Sequence, residues 1–269
     1  MQPLLKVENL VKRYAAGRSA RSKDKLAVLD GVSLSIPSGE TLALVGESGS
    51  GKSTLALCIA CLETPTSGSL SFEGLDVATL DENQLRLIRP QIQLVFQDPV
   101  SSLNSRWTAL DIVSEPFLVQ RRFTKPDRAV RALQLLDRVA IPRRLAGRRP
   151  DELSGGQKQR LAIARALALE PKLIILDEAL SALDCSVQAQ ISNLLLELQS
   201  SLGLTYLFIT HDFAMAAHLA DQIAVMDRGR IVESGPAEKV LSAPRHEATR
   251  SLLAATARFV GSPSVLVTA

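Results

Sequence analysis

The chain has 269 residues, 46% of them hydrophobic, which is enough to bury the core of one large domain with or without a subdomain. Its net charge of +3 is mild and does not by itself indicate a nucleic-acid partner. The three cysteines are too sparse for a disulfide framework, and no run of about eighteen apolar residues lacks charges or breakers, so we expect a soluble, intracellular chain.

The N-terminal part of the chain predicts strands followed by a strand, a loop and a helix. Alternating apolar residues in 5–14 and 32–36 are typical of strands, and the small and basic residues between them predict an exposed loop. The apolar run 41–45 predicts a buried strand, and the apolar stretch behind the next glycine-rich segment predicts a helix. Cys58 and Cys61 lie in that stretch with no second ligand pair in reach, so we expect burial rather than metal or redox chemistry.

The rest of the chain alternates between strand and helix patterns. Further apolar runs predict buried strands at 91–96, 173–176, 206–209 and 223–226. Helical periodicity in 129–139 and 187–198 favours a mostly parallel sheet with crossover helices, interrupted by a helical insertion at roughly 98–168. Residues 227–235 predict a small hairpin, and 247–257 predict a helix in the tail.

The glycine-rich segment after the strand 41–45 fits the phosphate-loop pattern G-x-x-x-x-G-K-S. Its residues, through the threonine that follows, are Gly46, Glu47, Ser48, Gly49, Ser50, Gly51, Lys52, Ser53 and Thr54. Glycines let backbone N–H groups point at phosphates, Lys52 adds positive charge at the β- and γ-phosphates, and Ser53 offers its hydroxyl to Mg²⁺. A glycine- and serine-rich linker would not carry Lys-Ser at this register between apolar runs, so we predict a nucleotide site.

Polar residues follow three of the predicted strands. Asp177 and Glu178 follow one of them, where Asp177 can reach the ligand shell of Mg²⁺ and Glu178 can accept a proton from an attacking water. Gln97 follows another, where its amide can bind Mg²⁺ or orient water, although alone it would be an ordinary strand-end glutamine. His211 follows a third and can hydrogen-bond the γ-phosphate, with a structural histidine as the alternative.

A second glycine segment occurs about a hundred residues after the first, at the predicted start of a helix. It consists of Ser154, Gly155, Gly156 and Gln157. The N–H groups at a helix start can hold an anion. Because the chain already has a phosphate loop, this segment raises the question of which phosphate it binds.

In this order, the motifs resemble the nucleotide-binding subunit of an ATP-binding cassette (ABC) transporter over residues 4–242, and LSGGQ at 153–157 resembles the signature of that family. The resemblance implies an α/β fold, a P-loop NTPase ABC cassette with a mostly parallel sheet core, N-terminal antiparallel strands and an inserted α-helical subdomain at about 98–168. Residues 243–269 would form a C-terminal extension of the peptide and nickel importer type. Two cassettes would pair head to tail, so that the signature of one chain binds the γ-phosphate held by the other.

The resemblance also implies a role for each motif residue. Tyr14 would stack on adenine, with packing as the alternative, while 46–54 and the partner's copy of 154–157 would bind the phosphates of ATP. The catalytic residues would be Glu178 as general base, Gln97, His211 and Lys52, and the Mg²⁺ ligands would be Ser53, Gln97 and Asp177. Residues 181–184 match the family's D-loop.

Two stretches resemble the dipeptide, oligopeptide and nickel importer branch of the family: QDPVSSLNSRWT at 97–108 and PRHEATRSLLAA at 244–255. Ser105 replaces a proline of the first, and Glu247-Ala248 replace a Pro-Tyr of the second, but neither change removes a catalytic group. The implied cargo is a di- or oligopeptide, with nickel or a metal chelate as the alternative. No cysteine follows Cys185, so we expect no iron–sulfur centre in the tail.

The implied partners are a second ABC ATPase subunit, identical or paralogous, two transmembrane permease subunits and, indirectly, an extracytoplasmic solute-binding protein. No nucleic acid is expected, and the chain would be peripheral at the cytoplasmic face of the inner membrane. The main alternative is a soluble ABC ATPase of DNA repair or translation, but the sequence lacks the long insertion or second cassette typical of those classes. A small-molecule kinase would explain the phosphate loop and leave LSGGQ without a role.

Overall fold

A computed structural model describes residues 2–15, 25–98 and 102–260. Three predicted features fall wholly or partly outside the described residues: most of the basic loop (16–24), part of the importer-type stretch (99–101) and the chain end (261–269). The chain divides into a first unit, residues 1–89 with 205–269, and a second unit, residues 90–204.

Strands and helices alternate along most of the chain. The strands are β1 (Leu5–Ala15), β2 (Lys25–Ile36), β3 (Thr41–Val45), β4 (Ser67–Phe72), β5 (Leu75–Asp76), β6 (Ile92–Val95), β7 (Leu173–Asp177), β8 (Thr205–Thr210), β9 (Gln222–Asp227) and β10 (Arg230–Pro236). The helices are α1 (Lys52–Ile59), α2 (Glu82–Ile88), α3 (Ala109–Val119), α4 (Lys125–Arg138), α5 (Gly155–Leu167), α6 (Cys185–Leu202), α7 (Phe213–Leu219), α8 (Ala237–Ser242) and α9 (Glu247–Val260).

The strands of the first unit form an antiparallel group and a mostly parallel group. In the first group the order is β2-β1-β4-β5, with each strand antiparallel to its neighbours. In the second group the order is β10-β9-β3-β8, where β3 runs parallel to β8 and β9 and β10 is antiparallel to β9. Every residue of β3 and β8 is buried, as expected for apolar strands covered on both faces. The phosphate-loop segment therefore leaves from a buried strand.

The tail helix of the first unit is anchored at its start by a carboxylate. Glu233 on β10 accepts hydrogen bonds from the N–H groups of Arg245 (2.9 Å) and His246 (3.0 Å), just before α9 begins. Thr249, in the first turn of α9, is fully buried. The negative charge also lies near the positive end of the helix dipole, which favours this arrangement.

The second unit combines the parallel pair β6 and β7 with helices α3 to α6. Each of these helices begins after a residue whose side chain accepts an N–H of the first turn: Thr108, Thr124, Ser154 and Asp184. Such N-caps satisfy backbone groups that would otherwise lack partners. The α3 helix packs against both α4 and α5, so the apolar faces of the predicted insertion form a helical core.

The structure confirms an α/β fold with N-terminal antiparallel strands and inserted helices. All but one of the predicted strands are found with ends shifted by at most one residue, whereas β2 begins at Lys25 rather than at 32 because it pairs with β1 along its length. The first helix covers 52–59, and the elements β4, β5, α2, α7 and α8 were not predicted. The bounds 98–168 for the helical subdomain stay a prediction. None of the helices in the described part of the chain combines the length and apolar composition needed to cross a membrane.

Candidate functional site

The phosphate-loop segment joins β3 to α1 and comes very close to neighbouring backbone. A Cβ built on Gly46 would lie 2.3 Å from the carbonyl oxygen of Met226, and one built on Gly51 would lie 2.8 Å from that of Val28. Gly51 also has a φ of +109°, which side chains rarely tolerate. Packing against neighbouring backbone therefore requires glycine at both positions, whether or not a ligand is bound.

Lys52 places a positive charge inside this loop. Its side chain is almost fully buried, and Nζ donates hydrogen bonds of 2.8 Å to the carbonyl oxygens of Gly46 and Glu47. The hydroxyl of Ser50 is also buried and makes no hydrogen bond within the described residues. A buried ammonium and a buried hydroxyl without a partner in the described part of the chain fit a phosphate ligand, because each can donate a hydrogen bond to an oxyanion.

Two flanking segments hold the loop from outside. The N–H of Gly229, in the β9–β10 turn, donates to the carbonyl oxygen of Ser50 (2.9 Å), and the N–H of Asp30 donates to the carbonyl oxygen of Gly229 (2.9 Å). Val28 is an extra residue in β2, since Lys12 pairs with Leu29 while Arg13 pairs with Ala27. This bulge directs the Val28 carbonyl at both Gly51 and Gly229, so the shape of the loop depends on residues far away in the sequence.

The same unit holds the other predicted residues His211, Ser53 and Tyr14. Strands β3 and β8 are parallel with Val45 opposite Thr210, so Gly46 and His211 leave adjacent strands at the same level. His211 and Ser53 are exposed. Tyr14 lies near the end of β1 and is 37% exposed, which leaves part of its ring open for stacking.

In the second unit, the parallel strands β6 and β7 bring Gln97, Asp177 and Glu178 to the same end of the strand pair. Strands β6 and β7 are parallel with Val95 opposite Leu176, so Gln97 and Glu178 each follow two residues later. Glu178 has a φ of +46°, which is uncommon for a residue with a side chain and typical of functional sites. Gln97 is exposed and both carboxylates are half-buried. Amide and carboxylate oxygens are the ligand type that Mg²⁺ prefers, so the chemistry of Gln97 and Asp177 fits that ion.

The signature segment forms the first turn of α5. Ser154 Oγ accepts the N–H of Gln157 (3.3 Å), and Gln157 Oε1 accepts the N–H of Ser154 (2.9 Å). Because Ser154 uses its oxygen as the acceptor, its O–H remains able to donate to an anion. Gly155 is exposed, whereas a Cβ on Gly156 would lie 2.6 Å from Cγ1 of Val187 on α6. The two glycines therefore have different roles, one facing solvent and one packing against a helix.

The cysteines next to the phosphate loop are covered. Cys58 is buried and Cys61 is half-buried, which confirms the predicted burial for Cys58. Burial raises the pKa of the Cys58 thiol to about 11 and also raises that of Cys61. Across the described ranges, no three or more His, Cys, Asp or Glu side chains cluster in a way that could hold a metal ion.

Two features of the site escaped the sequence analysis. No local sequence pattern predicts the contacts of Gly229 and Val28 with the phosphate loop, because they join segments far apart in the chain. Lys12 packs on the ring of Tyr14. The sequence could have predicted this contact, since residues two apart on a strand share one face.

Comparisons with known proteins agree with this geometry. A family model described as ABC transporter matches residues 29–181. The oligopeptide transport ATP-binding protein OppD of Mycobacterium tuberculosis is 49% identical over 255 residues, which are 94% of this chain and 42% of that protein. The probable peptide ABC transporter ATP-binding protein y4tS of Sinorhizobium fredii is 49% identical over 254 residues, which are 94% of this chain and 72% of that protein.

A solved structure gives a similar result. The dimeric post-hydrolysis state of the ATP-binding cassette MJ0796, bound to ADP and Pi, is 33% identical and superposes with a TM-score of 0.76. The match covers 87% of this chain and 98% of that cassette. The match therefore covers nearly all of that cassette, whereas the chain spans less than half the length of OppD.

Proposed function

The chain belongs to the ABC transporter family, and on that premise we propose that it is the ATP-binding and ATP-hydrolysing subunit of a di- or oligopeptide importer. The observation that carries the proposal is the buried Lys52 ammonium inside the glycine-rich loop, together with the buried Ser50 hydroxyl that makes no hydrogen bond within the described residues. Such a cradle suits the triphosphate of a nucleotide. The cassette would cover 4–242, with the helical subdomain at about 98–168 and a C-terminal extension at 243–269.

The proposed reaction is hydrolysis of the bond between the β- and γ-phosphates. Residues 46–54 bind the phosphates, with Lys52 opposing their charge, and Tyr14 stacks on adenine. Glu178 accepts a proton as water attacks the γ-phosphorus, the bond to the bridging oxygen breaks, and ADP and phosphate result. Gln97 orients the water and His211 contacts the γ-phosphate. Ser53, Gln97 and Asp177 would hold Mg²⁺, which when bound offsets the negative charge of the phosphates.

A second cassette, identical or paralogous, would complete each site. In this arrangement Ser154 to Gln157 bind the γ-phosphate held by the partner, through helix N–H groups and the Ser154 O–H. The capping geometry of α5 supports this role, as does the dimeric state named for MJ0796. Closure on ATP and reopening after hydrolysis would drive two transmembrane permease subunits at the cytoplasmic face of the inner membrane. A solute-binding protein outside the membrane would deliver the cargo.

The peptide cargo is supported by the names of relatives: OppD is an oligopeptide transport protein and y4tS a probable peptide transporter subunit. Nickel or a metal chelate is the alternative. Uptake of labelled dipeptide and of labelled nickel by cells lacking the protein tests both. Loss of dipeptide uptake alone supports the proposal, and loss of nickel uptake alone contradicts the cargo assignment.

The cassette function is tested with Glu178→Gln, which removes the general base and retains the nucleotide loop. We expect Mg²⁺-ATP to be bound but not hydrolysed, and light scattering after size exclusion to show a doubled mass if identical chains pair. The matched control, Glu178→Gln combined with Lys52→Met, should bind no ATP and stay monomeric. A Glu178→Gln chain that binds ATP and stays monomeric would point to a paralogous partner, and hydrolysis at the wild-type rate would contradict the role of Glu178.

A further inference from the structure

Lys12 lies against the ring of Tyr14, in the unit that holds the phosphate loop. Its Nζ is 5.0 Å from the ring centroid, over the face of the ring. A cation within about 6 Å of an aromatic centroid is attracted by the ring quadrupole. The side chain of Lys12 is only 12% exposed, so packing along its length also keeps it against the ring.

Two further contacts fix the ammonium of Lys12 in place. Nζ donates to Oε2 of Glu63 (2.6 Å) and to the carbonyl oxygen of Thr64 (2.8 Å). The hydrogen bond to Glu63 raises the pKa of Lys12 above its ordinary value, so the group stays charged. An ammonium held at three points, two oxygens and one ring, restricts the orientation of the ring it covers.

The oxygens that hold Lys12 belong to residues that follow α1, the helix that begins at the phosphate loop. The N–H groups of Leu62 and Glu63 both donate to the carbonyl oxygen of Leu57 in α1, at 2.9 and 3.1 Å. Glu63 is therefore attached to the helix that begins at Lys52. Through Lys12, the orientation of Tyr14 is tied to the same helix that presents the phosphate loop.

We propose that Lys12 is a positioning residue that orients the Tyr14 ring for stacking on the adenine of ATP and so contributes to base preference. The proposal rests on the ATP-binding function proposed above. Lys12 lies over the ring, and Tyr14 as a residue is 37% exposed, so part of it remains accessible to a base. A purine stacks on more of a fixed ring than a pyrimidine does, so restricting the ring should favour ATP over CTP.

The test compares the affinities of the full chain for Mg²⁺-ATP and Mg²⁺-CTP by isothermal titration calorimetry. Lys12→Met should raise the Kd for ATP about three- to tenfold and change the Kd for CTP less than about twofold. Lys12→Arg should restore most of the ATP affinity, since a guanidinium can pair with Glu63 and stack on the ring. The matched control is Lys6→Met, because Lys6 forms an exposed ion pair with Glu8 on the same strand, and it should leave both Kd values unchanged.

A double-mutant cycle separates ring positioning from a general effect on the fold. In the Tyr14→Leu background, Lys12→Met should change the Kd for ATP by less than about twofold, because the ring it orients is gone. Equal losses for ATP and CTP, or an undiminished effect without Tyr14, would overturn the inference. If the wild type binds ATP and Lys12→Met binds it equally well, the inference alone fails. If the wild type does not bind ATP, the proposed function fails as well.

Discussion

Replacing Gly229 by alanine tests whether the β9–β10 turn holds the phosphate loop. Gly229 has a φ of +80°, a conformation that costs a residue with a side chain about 1–2 kcal/mol. The added Cβ would lie 2.6 Å from the carbonyl oxygen of Val28, and relieving such overpacking costs a further ~1–3 kcal/mol. We therefore expect Gly229→Ala to lower the free energy of unfolding by about 2–5 kcal/mol.

Gly39 offers a matched control in the same unit. Its φ is +81°, and no atom of the described residues lies within 4 Å of a Cβ built on it. Gly39→Ala should therefore show only the conformational cost of about 1–2 kcal/mol. Urea denaturation followed by circular dichroism measures both variants, and the difference between them isolates the contact with Val28.

The affinity for ATP is the functional readout of the same pair of variants. The N–H of Gly229 donates to the carbonyl oxygen of Ser50, so any shift that relieves the clash also displaces the loop. We expect Gly229→Ala to raise the Kd for Mg²⁺-ATP about tenfold, equivalent to ~1.4 kcal/mol, and Gly39→Ala to leave it within about twofold. Equal stability and equal affinity in the two variants would refute the reasoning.

Three further predictions concern other parts of the chain. Gly156→Ala places a Cβ 2.6 Å from a side chain of α6 and should lower the free energy of unfolding in urea by ~1–3 kcal/mol. Gly155→Ala should leave that free energy unchanged and lower the rate of ATP hydrolysis, measured as released phosphate. The reverse pattern would contradict the two roles. Partial burial would raise the pKa of Glu233, but a neighbouring hydroxyl and backbone N–H groups outweigh it and lower the pKa below 4.5. The stabilising effect of this carboxylate is therefore present above pH 4.5 and lost as the pH falls through the lower folded value. The protection of amide N–H groups at the start of α9, measured by hydrogen exchange relative to the intrinsic rate at each pH, should therefore fall in acid, and at pH 7 in Glu233→Gln; unchanged protection in that variant would refute the anchor. At about pH 8, iodoacetamide should alkylate exposed Cys185 and spare buried Cys58. Mass spectrometry measures the alkylation rate of each cysteine, and equal rates would contradict the burial of Cys58.

The sequence predicted elements best where burial is complete. Strands such as β3 and β8 are continuous apolar runs with every residue buried, and such runs are recognisable without knowing their neighbours. The β4 strand was missed because its sequence SGSLSF is dominated by small residues, and its pairing with β1 decides its conformation. Helix α2 did carry a signal, the capping box of Asp81 and Gln84, which is a recognised start of a helix.

The site shows the same division. Lys52 and Glu178 were predicted because phosphate loops and strand-end carboxylates have local patterns. The contacts that shape the site depend on the fold: Lys12 meets Glu63 51 residues later, and the loop at Ser50 is held by Gly229. No local pattern reports such pairs, because they form only when distant strands are brought side by side.

The capping box of Ser154 and Gln157 has a consequence for assembly kinetics. Both side chains satisfy the backbone at the start of α5 within a single chain, so this helix start needs no partner to adopt its shape. If two cassettes pair as proposed, the signature surface meets its partner already folded. Association should then proceed at rates usual for rigid protein partners, about 10⁵–10⁷ M⁻¹s⁻¹, rather than at the lower rates of surfaces that must rearrange on contact.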